Sequence, residues 1–331
     1  MFLLNRIPII FISFFALAYT LFPYFPADAQ TKTTRLSIAT GGTGGVFYVV
    51  GGGIASLISK HLPGVEATAE VTAASVDNCK LIMIRKADLG FVLADTAYDA
   101  YAGIERFKGT GKVPLRALAV LYPAVSQIVT TEGAGIETAR DLKGKRVSTG
   151  APGSGAEVTA IKIFEALELD PAKDIRRERL SVAESASALK DRKIDAFFWG
   201  GGIPTAAVLD LASTPGIRIK LIAHDDLLEK INKKYGPSYY RLLVPKETYP
   251  GMTQPVPVIA TANLLVCHEG LDEKTAHGIV KVILEHRGEL IAIHKEADKI
   301  TLENAVLGSS IPYHPGAIRY YTEKKTWPGR K

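Results

Sequence analysis

The chain has 331 residues, with 40 Lys and Arg against 34 Asp and Glu, which gives a formal net charge of +6. It contains no run of five or six basic residues, so its charge predicts no nucleic-acid partner, and the C-terminal KKTWPGRK fits a solvated tail better than a nucleic-acid arm. The length is sufficient for two domains of ordinary size.

Residues 1–29 have the pattern of a secretory signal peptide. One early cation, Arg6, precedes an apolar stretch that carries no charge until Asp28. Ala27 and Ala29 have the A-x-A spacing of a cleavage site, which predicts cleavage after Ala29 and a mature protein outside the cytoplasmic membrane. The alternative is an uncleaved membrane anchor, because the apolar stretch is long enough to span a bilayer, although three prolines interrupt it.

After this segment, short apolar runs alternate with runs of helical periodicity. The first such unit is a strand, a glycine-rich loop and a helix. In chain order the pattern predicts a strand at 35–39, a helix starting near Val46, a helix at about 75–85, a strand at 87–94, a short helix opened by Asp95 and a buried strand at 115–122.

A change of pattern at Tyr122-Pro123 divides the chain. Ser154 and Glu157 beyond it have the S-x-x-E spacing of a capping box, which marks a helix start. The second part is predicted to begin with strands near 126–131 and 146–148, joined by a short helix that Gly144 ends. A helix at about 154–169 follows, and residues 194–211 are predicted to form a strand, a glycine-rich turn and a helix. The last predicted elements are strands at 216–223 and 258–268 and a helix at about 272–295. This alternation indicates a parallel α/β architecture.

Three strand–loop–helix junctions carry clustered glycines: Gly41–Gly45, Gly150–Gly155 and Gly200–Gly202. In open α/β sheets, ligands bind at the carboxyl ends of strands, where helix N-termini present free N–H groups and a partial positive charge. A tight turn explains any one of these loops taken alone. Three together favour a binding site.

The glycine loops match neither the dinucleotide fingerprint nor the P-loop. Ser154 lacks the flanking glycines of a hydrolase elbow, because Pro152 and Ala156 occupy those positions, and an N-cap explains this serine better. The seven histidines have no metal-ligand spacing. We therefore predict no catalytic residue, no cofactor and no metal. The expected ligand is a small anion, most simply a carboxylate held by backbone amides.

The two cysteines, Cys79 and Cys267, are far apart in sequence and have no spacing typical of a disulfide framework or a metal site. They could pair in an oxidising compartment. Two buried free thiols are the better interpretation.

Between about Leu36 and Tyr321 the chain contains, in this order, the blocks GGTGGVFYVVGGGIA, TAASVDNCKLI, ADLGFVLADTAYDAY, LRALAVLYP, DLKGKRVSTGAPGSGAEVTA, DAFFWGGGIPTAAV and IPYHPGAIRYY. Together they resemble the TAXI family of periplasmic solute receptors of TRAP transporters. The resemblance implies a two-lobed type 2 periplasmic-binding-protein fold with the ligand in a cleft between the lobes. Lobe I would comprise 31–123 and 258–331, and lobe II would comprise 124–257.

The resemblance also implies a partner and a class of ligand. The receptor would deliver a small carboxylate such as glutamate, glutamine, 2-oxoglutarate or a related dicarboxylate to TRAP membrane permease subunits. Two alternatives stay open: a ligand-sensing module for a membrane kinase, and an enzyme on the same fold that uses Asp95 or Ser154.

Carried over by position, the resemblance and the three junctions give a set of candidate ligand-binding residues. Three of these candidates have an alternative structural role. Phe47 could pack in the core, Tyr48 could cap a helix face, and Asp95 could be the N-cap of the helix that follows it. Trp199 departs from the family pattern ahead of the third glycine loop. The candidates are Thr43, Gly44, Phe47, Tyr48, Ser75, Asn78, Asp95, Gly153, Ser154, Gly155, Gly201, Gly202 and Pro204.

Overall fold

The computed structural model describes residues 33–329 of the chain, so the predicted signal peptide lies outside the described residues. The strands are β1 Thr34–Ala39, β2 Val65–Glu70, β3 Leu89–Leu93, β4 Leu115–Thr131, β5 Arg146–Ser148, β6 Arg176–Glu178, β7 Ala196–Gly201, β8 Ile219–Leu221, β9 Tyr240–Val244 and β10 Val256–His268. The helices are α1 Val46–His61, α2 Ser75–Met83, α3 Ala94–Ala102, α4 Gly155–Ala166, α5 Val182–Lys190, α6 Ala206–Ser213, α7 Leu228–Tyr235, α8 Glu273–Glu285, α9 Arg287–Ile293 and α10 Pro315–Glu323.

The described strands form one mixed sheet in the order β2-β1-β3-β10-β4-β7-β5-β6, with β8 beside β4 and β9 beside β10. Strand β1 is parallel to β2 and β3, and β5 is parallel to β6 and β7. The sheet is not wholly parallel as predicted, because β4 and β10 run antiparallel to all of their neighbours. The α/β class and the two-lobed fold are as predicted.

Strands β4 and β10 connect the two lobes. One end of this pair adjoins β3, and the other end adjoins β7, β8 and β9. The predicted break at Tyr122-Pro123 is wrong as a strand end, since β4 continues through it. Pro123 is tolerated because the register between β4 and β10 shifts beside it, so that Asn263 of β10 lies opposite a bulge.

The hydrophobic core divides along the same line. Two clusters bury α1, α2, α3, α8 and α10 against β1, β3 and the first part of β4, and we call this side the first lobe. Two further clusters bury α4, α5, α6 and α7 against the last part of β4 and β5, β7 and β8, and we call this side the second lobe. The lobe boundaries at 123/124 and 257/258 stay a proposal.

Local signals place several elements correctly. Helix α4 begins at Gly155 with Ser154 as its N-cap, and the Ser154 hydroxyl accepts the Glu157 N–H as the S-x-x-E spacing predicts. The single helix expected over 272–295 is divided, because His286 ends α8 and caps α9 with a backbone outside the helical region.

Both cysteines are free and buried, as predicted. Burial raises the pKa of each thiol well above its usual range. Within residues 33–329, no helix combines the length and the apolarity needed to cross a bilayer.

Candidate functional site

Six strand–helix junctions, three from each lobe, surround one cavity of about 60 Å³. All three glycine loops contribute to it. The described lining consists of small, hydroxylated and apolar residues, with no charged side chain and no histidine: Gly41, Gly42, Gly45, Val46, Phe47, Thr72, Ala73, Ala74, Ser75, Leu93, Gly150, Ala151, Ser154, Gly155, Ala156, Ser181, Val182, Trp199, Gly200 and Gly201. A ligand here would be recognised by backbone groups and hydroxyls.

Helix α1 brings an uncapped N-terminus to the cavity. Its N-cap is Gly45, which has no side chain to accept a first-turn N–H, and the first turn contains no acidic residue. Val46 and Phe47 of that turn line the cavity. The first N–H groups of a helix have no partner inside the helix and carry a partial positive charge, so this end favours an anion.

Helix α4 brings a second N-terminus from the other lobe, with Gly155 and Ala156 lining the cavity. The carboxylate of its first-turn acid, Glu157, accepts the Gly153 N–H at 3.1 Å, and its charge is paired with two arginines. The Glu157 carboxylate accepts from Arg177 at 2.7 Å and from Arg179 at 2.6 Å. The positive end of α4 therefore stays available to a ligand.

Three serine hydroxyls in the lining share one arrangement. Ser75 Oγ accepts the Leu93 N–H at 3.1 Å, Ser154 Oγ accepts the Glu157 N–H at 3.1 Å, and Ser181 Oγ accepts the Glu184 N–H at 3.3 Å. Because each oxygen already accepts, its O–H remains free to donate to a ligand. No base lies in the described lining, so the three hydroxyls suit anion binding rather than nucleophilic attack.

Trp199 and Gly45 bring the lobes into contact at the edge of the cavity. Trp199 Nε1 donates to Thr205 Oγ1 at 2.8 Å, which fixes the indole ring. A Cβ atom on Gly45 would lie 2.9 Å from the ring, so only glycine fits there. The side chain that departs from the TAXI pattern is thus part of the cavity wall.

Several predicted residues lie outside this lining. Thr43 and Gly44 line a separate surface pocket against α5 and α6, and Tyr48 is half-buried on α1. The Gly202 backbone packs against Glu296, and Pro204 O accepts from His294 Nε2 at 3.3 Å. Ligand contact by these residues stays a prediction.

Asn78 and Gly153 do not line the cavity, but their hydrogen bonds fix the backbone around it. The Asn78 amide donates to the carbonyls of Ala39, Thr40 and Phe91, at 3.2, 2.8 and 2.8 Å. Gly153 has a φ of +82°, and its carbonyl accepts the first N–H groups of α2 from across the lobes. Phe47, Ser75, Ser154, Gly155 and Gly201 are the predicted residues that line the cavity.

Asp95 belongs to a buried ionic cluster that joins the lobes behind the cavity. Lys162 Nζ of α4 lies 2.9 Å from Asp95 Oδ2 and 3.3 Å from Asp99 Oδ2 on α3. Tyr239 of the second lobe donates a further hydrogen bond to Asp95. All three ionic side chains are at most 7% exposed. The Asp95 carboxylate is therefore occupied by Lys162 and Tyr239.

The two carboxyls of this cluster differ in their pKa. Burial opposes ionisation of Asp95, but the charge of Lys162 and the hydrogen bond from Tyr239 outweigh it and lower the pKa. For Asp99, burial together with the neighbouring Asp95 outweighs Lys162 and raises the pKa to about 6. The cluster therefore titrates in two steps.

A pH dependence of stability follows. Because the folded chain holds the Asp99 proton more tightly than the unfolded chain, the free energy of unfolding should fall as pH rises from about 4, the ordinary Asp value, to about 6. The Asp95 contribution has the opposite sign and is lost as pH falls below about 4. Urea denaturation across this range should show a smaller pH slope in Asp99→Asn. An unchanged slope would contradict the assignment.

One group of possible metal ligands lies outside the cavity. His61, which ends α1, and His286 and Glu289, at the start of α9, place their ligand atoms within 4.8 Å of one another, and sequence spacing did not predict this group. Glu289 already accepts from His61 at 2.8 Å and from Lys60 at 2.9 Å. We assign this group no part in solute binding.

The sequence interpretation missed Ser181, Thr72 and Lys162. Ser181 could have been found, because Ser181 and Glu184 have the same S-x-x-E spacing as Ser154 and Glu157. Lys162 gave no local signal, since its partners lie more than 60 residues away in the chain.

A family model described as the NMT1-like family matches residues 38–324. Among solved structures, a protein from Bordetella bronchiseptica RB50 is 18% identical with a TM-score of 0.54, covering 88% of this chain and 89% of that one. The ligand-binding component of an ABC-type import system from Staphylococcus aureus, with zinc bound, is 13% identical with a TM-score of 0.50, covering 88% and 90%. Tv2483 bound to L-arginine is 13% identical with a TM-score of 0.50, covering 84% and 95%. These likenesses show a shared fold.

Proposed function

We propose that this chain, which belongs to the NMT1-like family, is an extracytoplasmic solute receptor that binds a small carboxylate between its lobes and delivers it to a membrane transporter. One observation carries the proposal. Among the residues that the structure describes, no charged side chain lines the cavity, yet it receives two helix N-termini and three free hydroxyl donors. Such a set of donors suits an anion.

The energies permit tight binding without a charged partner. Micromolar affinity corresponds to about 8 kcal/mol. Hydrogen bonds to a charged group contribute roughly 1.5 to 3 kcal/mol each, so a handful from the two lobes is sufficient. Sites for drug-sized ligands occupy about 300 to 1,000 Å³. The present cavity, at about 60 Å³, favours a small solute and requires the lobes to separate for entry.

The transporter and solute are proposed from more specific features. The sequence blocks that resemble the TAXI family support delivery to a TRAP permease, with glutamate, glutamine, 2-oxoglutarate or a related dicarboxylate as solute. The Staphylococcus aureus protein, a ligand-binding component of an import system, and Tv2483, bound to an amino acid, support small-solute binding on this fold. The signal pattern of residues 1–29 supports a periplasmic location. Because no base faces the cavity serines within residues 33–329, we propose that the chain is not an enzyme.

A thermal-shift screen tests this function. The protein is unfolded and refolded to remove any carried-over ligand, then heated with amino acids, 2-oxo acids and dicarboxylates. A ligand that binds only the folded form stabilises it by about 2.7 kcal/mol at a hundredfold excess over its dissociation constant. We expect an upward shift with at least one acidic solute and none with its amine or alcohol analogue. A cooperative melt unmoved by every carboxylate would contradict the proposal.

A further inference from the structure

Two buried amide side chains on the connecting strands have unused hydrogen-bonding groups. Asn263 of β10 and Gln127 of β4 are both 0% exposed. Within the described part of the chain, neither polar atom of the Asn263 side chain has a partner, and Gln127 Nε2 has none. A buried polar group without a partner destabilises the folded chain, and native proteins contain few such groups.

Asn263 does not line the cavity itself but lies directly behind one of the residues that do. Its Cα pairs with that of Leu93 across the antiparallel β3–β10 ladder, which places both side chains on the same face of the sheet. Leu93 lines the cavity and lies between Gly155 and Gly200 of the second lobe. The bulge opposite Asn263 also contains Tyr122, whose buried hydroxyl has no partner among the described residues.

Gln127 has the corresponding position on the other connecting strand. Its Cα pairs with that of Trp199 across β4 and β7, so these two side chains also share a face. Gln127 Oε1 accepts from Tyr249 at 2.8 Å, and the Tyr249 hydroxyl accepts the Thr205 N–H at 3.1 Å. Since Thr205 also fixes Trp199, this network holds Gln127 while leaving its NH₂ group unused.

We propose that Gln127 and Asn263 form a polar floor of the solute site and bind the polar group at the far end of the solute from the carboxylate that the helix N-termini hold. The two NH₂ groups supply four N–H donors, while Asn263 Oδ1 is the one acceptor left wholly unused. This excess of donors selects a second acceptor group, as in a dicarboxylate. The inference rests on the proposed function and narrows its solute class.

Asn78 is the matched contrast. It is buried to the same degree, but its amide makes three hydrogen bonds to backbone carbonyls and its carbonyl accepts from Thr72 at 2.6 Å. Asn78→Leu should therefore lower the stability of the solute-free protein. Asn263→Leu removes atoms that have no partner, so the stability of the solute-free protein should hold or rise.

Titration calorimetry on the full chain separates a ligand role from a structural one. The probes are glutamate and 2-oxoglutarate, each compared with the analogue in which a methyl group replaces the distal carboxyl group, norvaline and 2-oxopentanoate. In wild type we expect the diacids to bind more tightly. In Asn263→Leu we expect the affinity for the diacids to fall at least tenfold and the affinity for the methyl analogues to change little. Gln127→Met should show the same selective loss.

Equal losses for the diacids and the methyl analogues, or no loss at all, would overturn this inference while leaving the receptor function intact. A fall in solute-free stability of Asn263→Leu as large as that of Asn78→Leu would also overturn it, because the amide would then have structural partners. Failure of wild type to bind glutamate and 2-oxoglutarate, while the thermal-shift screen finds a carboxylate without a second acceptor group as the solute, would overturn this inference alone. Only a protein that no carboxylate stabilises would contradict the proposed function.

Discussion

Replacing Gly155 by valine is expected to lower the affinity for solute at least a hundredfold while leaving the solute-free protein folded. A Cβ atom at this position would lie 2.6 Å from Leu93 Cδ1 and 2.7 Å from Ser75 Oγ, both of which belong to the other lobe. Real side chains do not approach so closely, so the lobes could not adopt the arrangement seen here. Separated lobes would avoid the clash and would lose the donors from one side of the cavity.

Gly288→Val is the control for this variant. Gly288 also lies in the first turn of a helix, and a Cβ atom there would meet nothing within 4 Å. Calorimetric titration of the solute found in the thermal-shift screen, with a melting curve for each variant, checks both expectations. An affinity for Gly155→Val equal to that of wild type would show that the bound form does not bring α4 against Ser75 and Leu93.

Replacing Lys162 by methionine should produce the second large effect, a loss of roughly a hundredfold in affinity. The change leaves Asp95 and Asp99 buried without their shared cation, and breaking a buried ion pair costs about 3 to 5 kcal/mol. Because α3 and α4 belong to different lobes, separating the lobes hydrates both carboxylates and relieves the cost. A factor of a hundred corresponds to about 2.7 kcal/mol.

Two further variants distinguish this explanation from a general loss of packing. The triple variant Asp95→Asn, Asp99→Asn, Lys162→Met removes every charge of the cluster and should recover much of the affinity. Lys193→Met breaks an exposed pair with Asp191, 3.0 Å long, and should change affinity little, because surface pairs contribute at most about 1 kcal/mol. If Lys162→Met bound solute with wild-type affinity, the ionic cluster would not contribute to holding the lobes together in the bound form.

Local sequence signals predicted those parts of the fold that depend on neighbouring residues. Strand β1, the following glycine loop and the start of α1 were found because apolar periodicity changes from strand to helix within ten residues. The start of α4 was found because Ser154 caps it. Strands β2 and β6 were missed because VEATAE and RRE contain no buried apolar run. Their positions depend on pairing with β1 and β5.

The candidate site was predictable only where it consists of backbone. Clustered glycines before helices indicated three of the six junctions, since that pattern is written in consecutive residues. The sequence around Asp95 did not indicate its ion pair with Lys162, because the two residues meet only when the lobes come together. Asn263 sat in a run of apolar residues, and its unused amide became apparent only from its position opposite Leu93.

The central claim, that a small carboxylate binds in the cavity beside Trp199, is tested most directly by tryptophan fluorescence. The chain has two tryptophans, Trp199 in the cavity wall and Trp327, which lies against Tyr313 and Tyr321 in the first lobe. Trp327→Phe leaves Trp199 as the sole reporter, and Trp199→Phe is the matched control. We expect glutamate or 2-oxoglutarate to change the emission of the first variant saturably and that of the control not at all. A solute that stabilises both variants but leaves Trp199 emission unchanged would contradict the claim, because it would bind elsewhere.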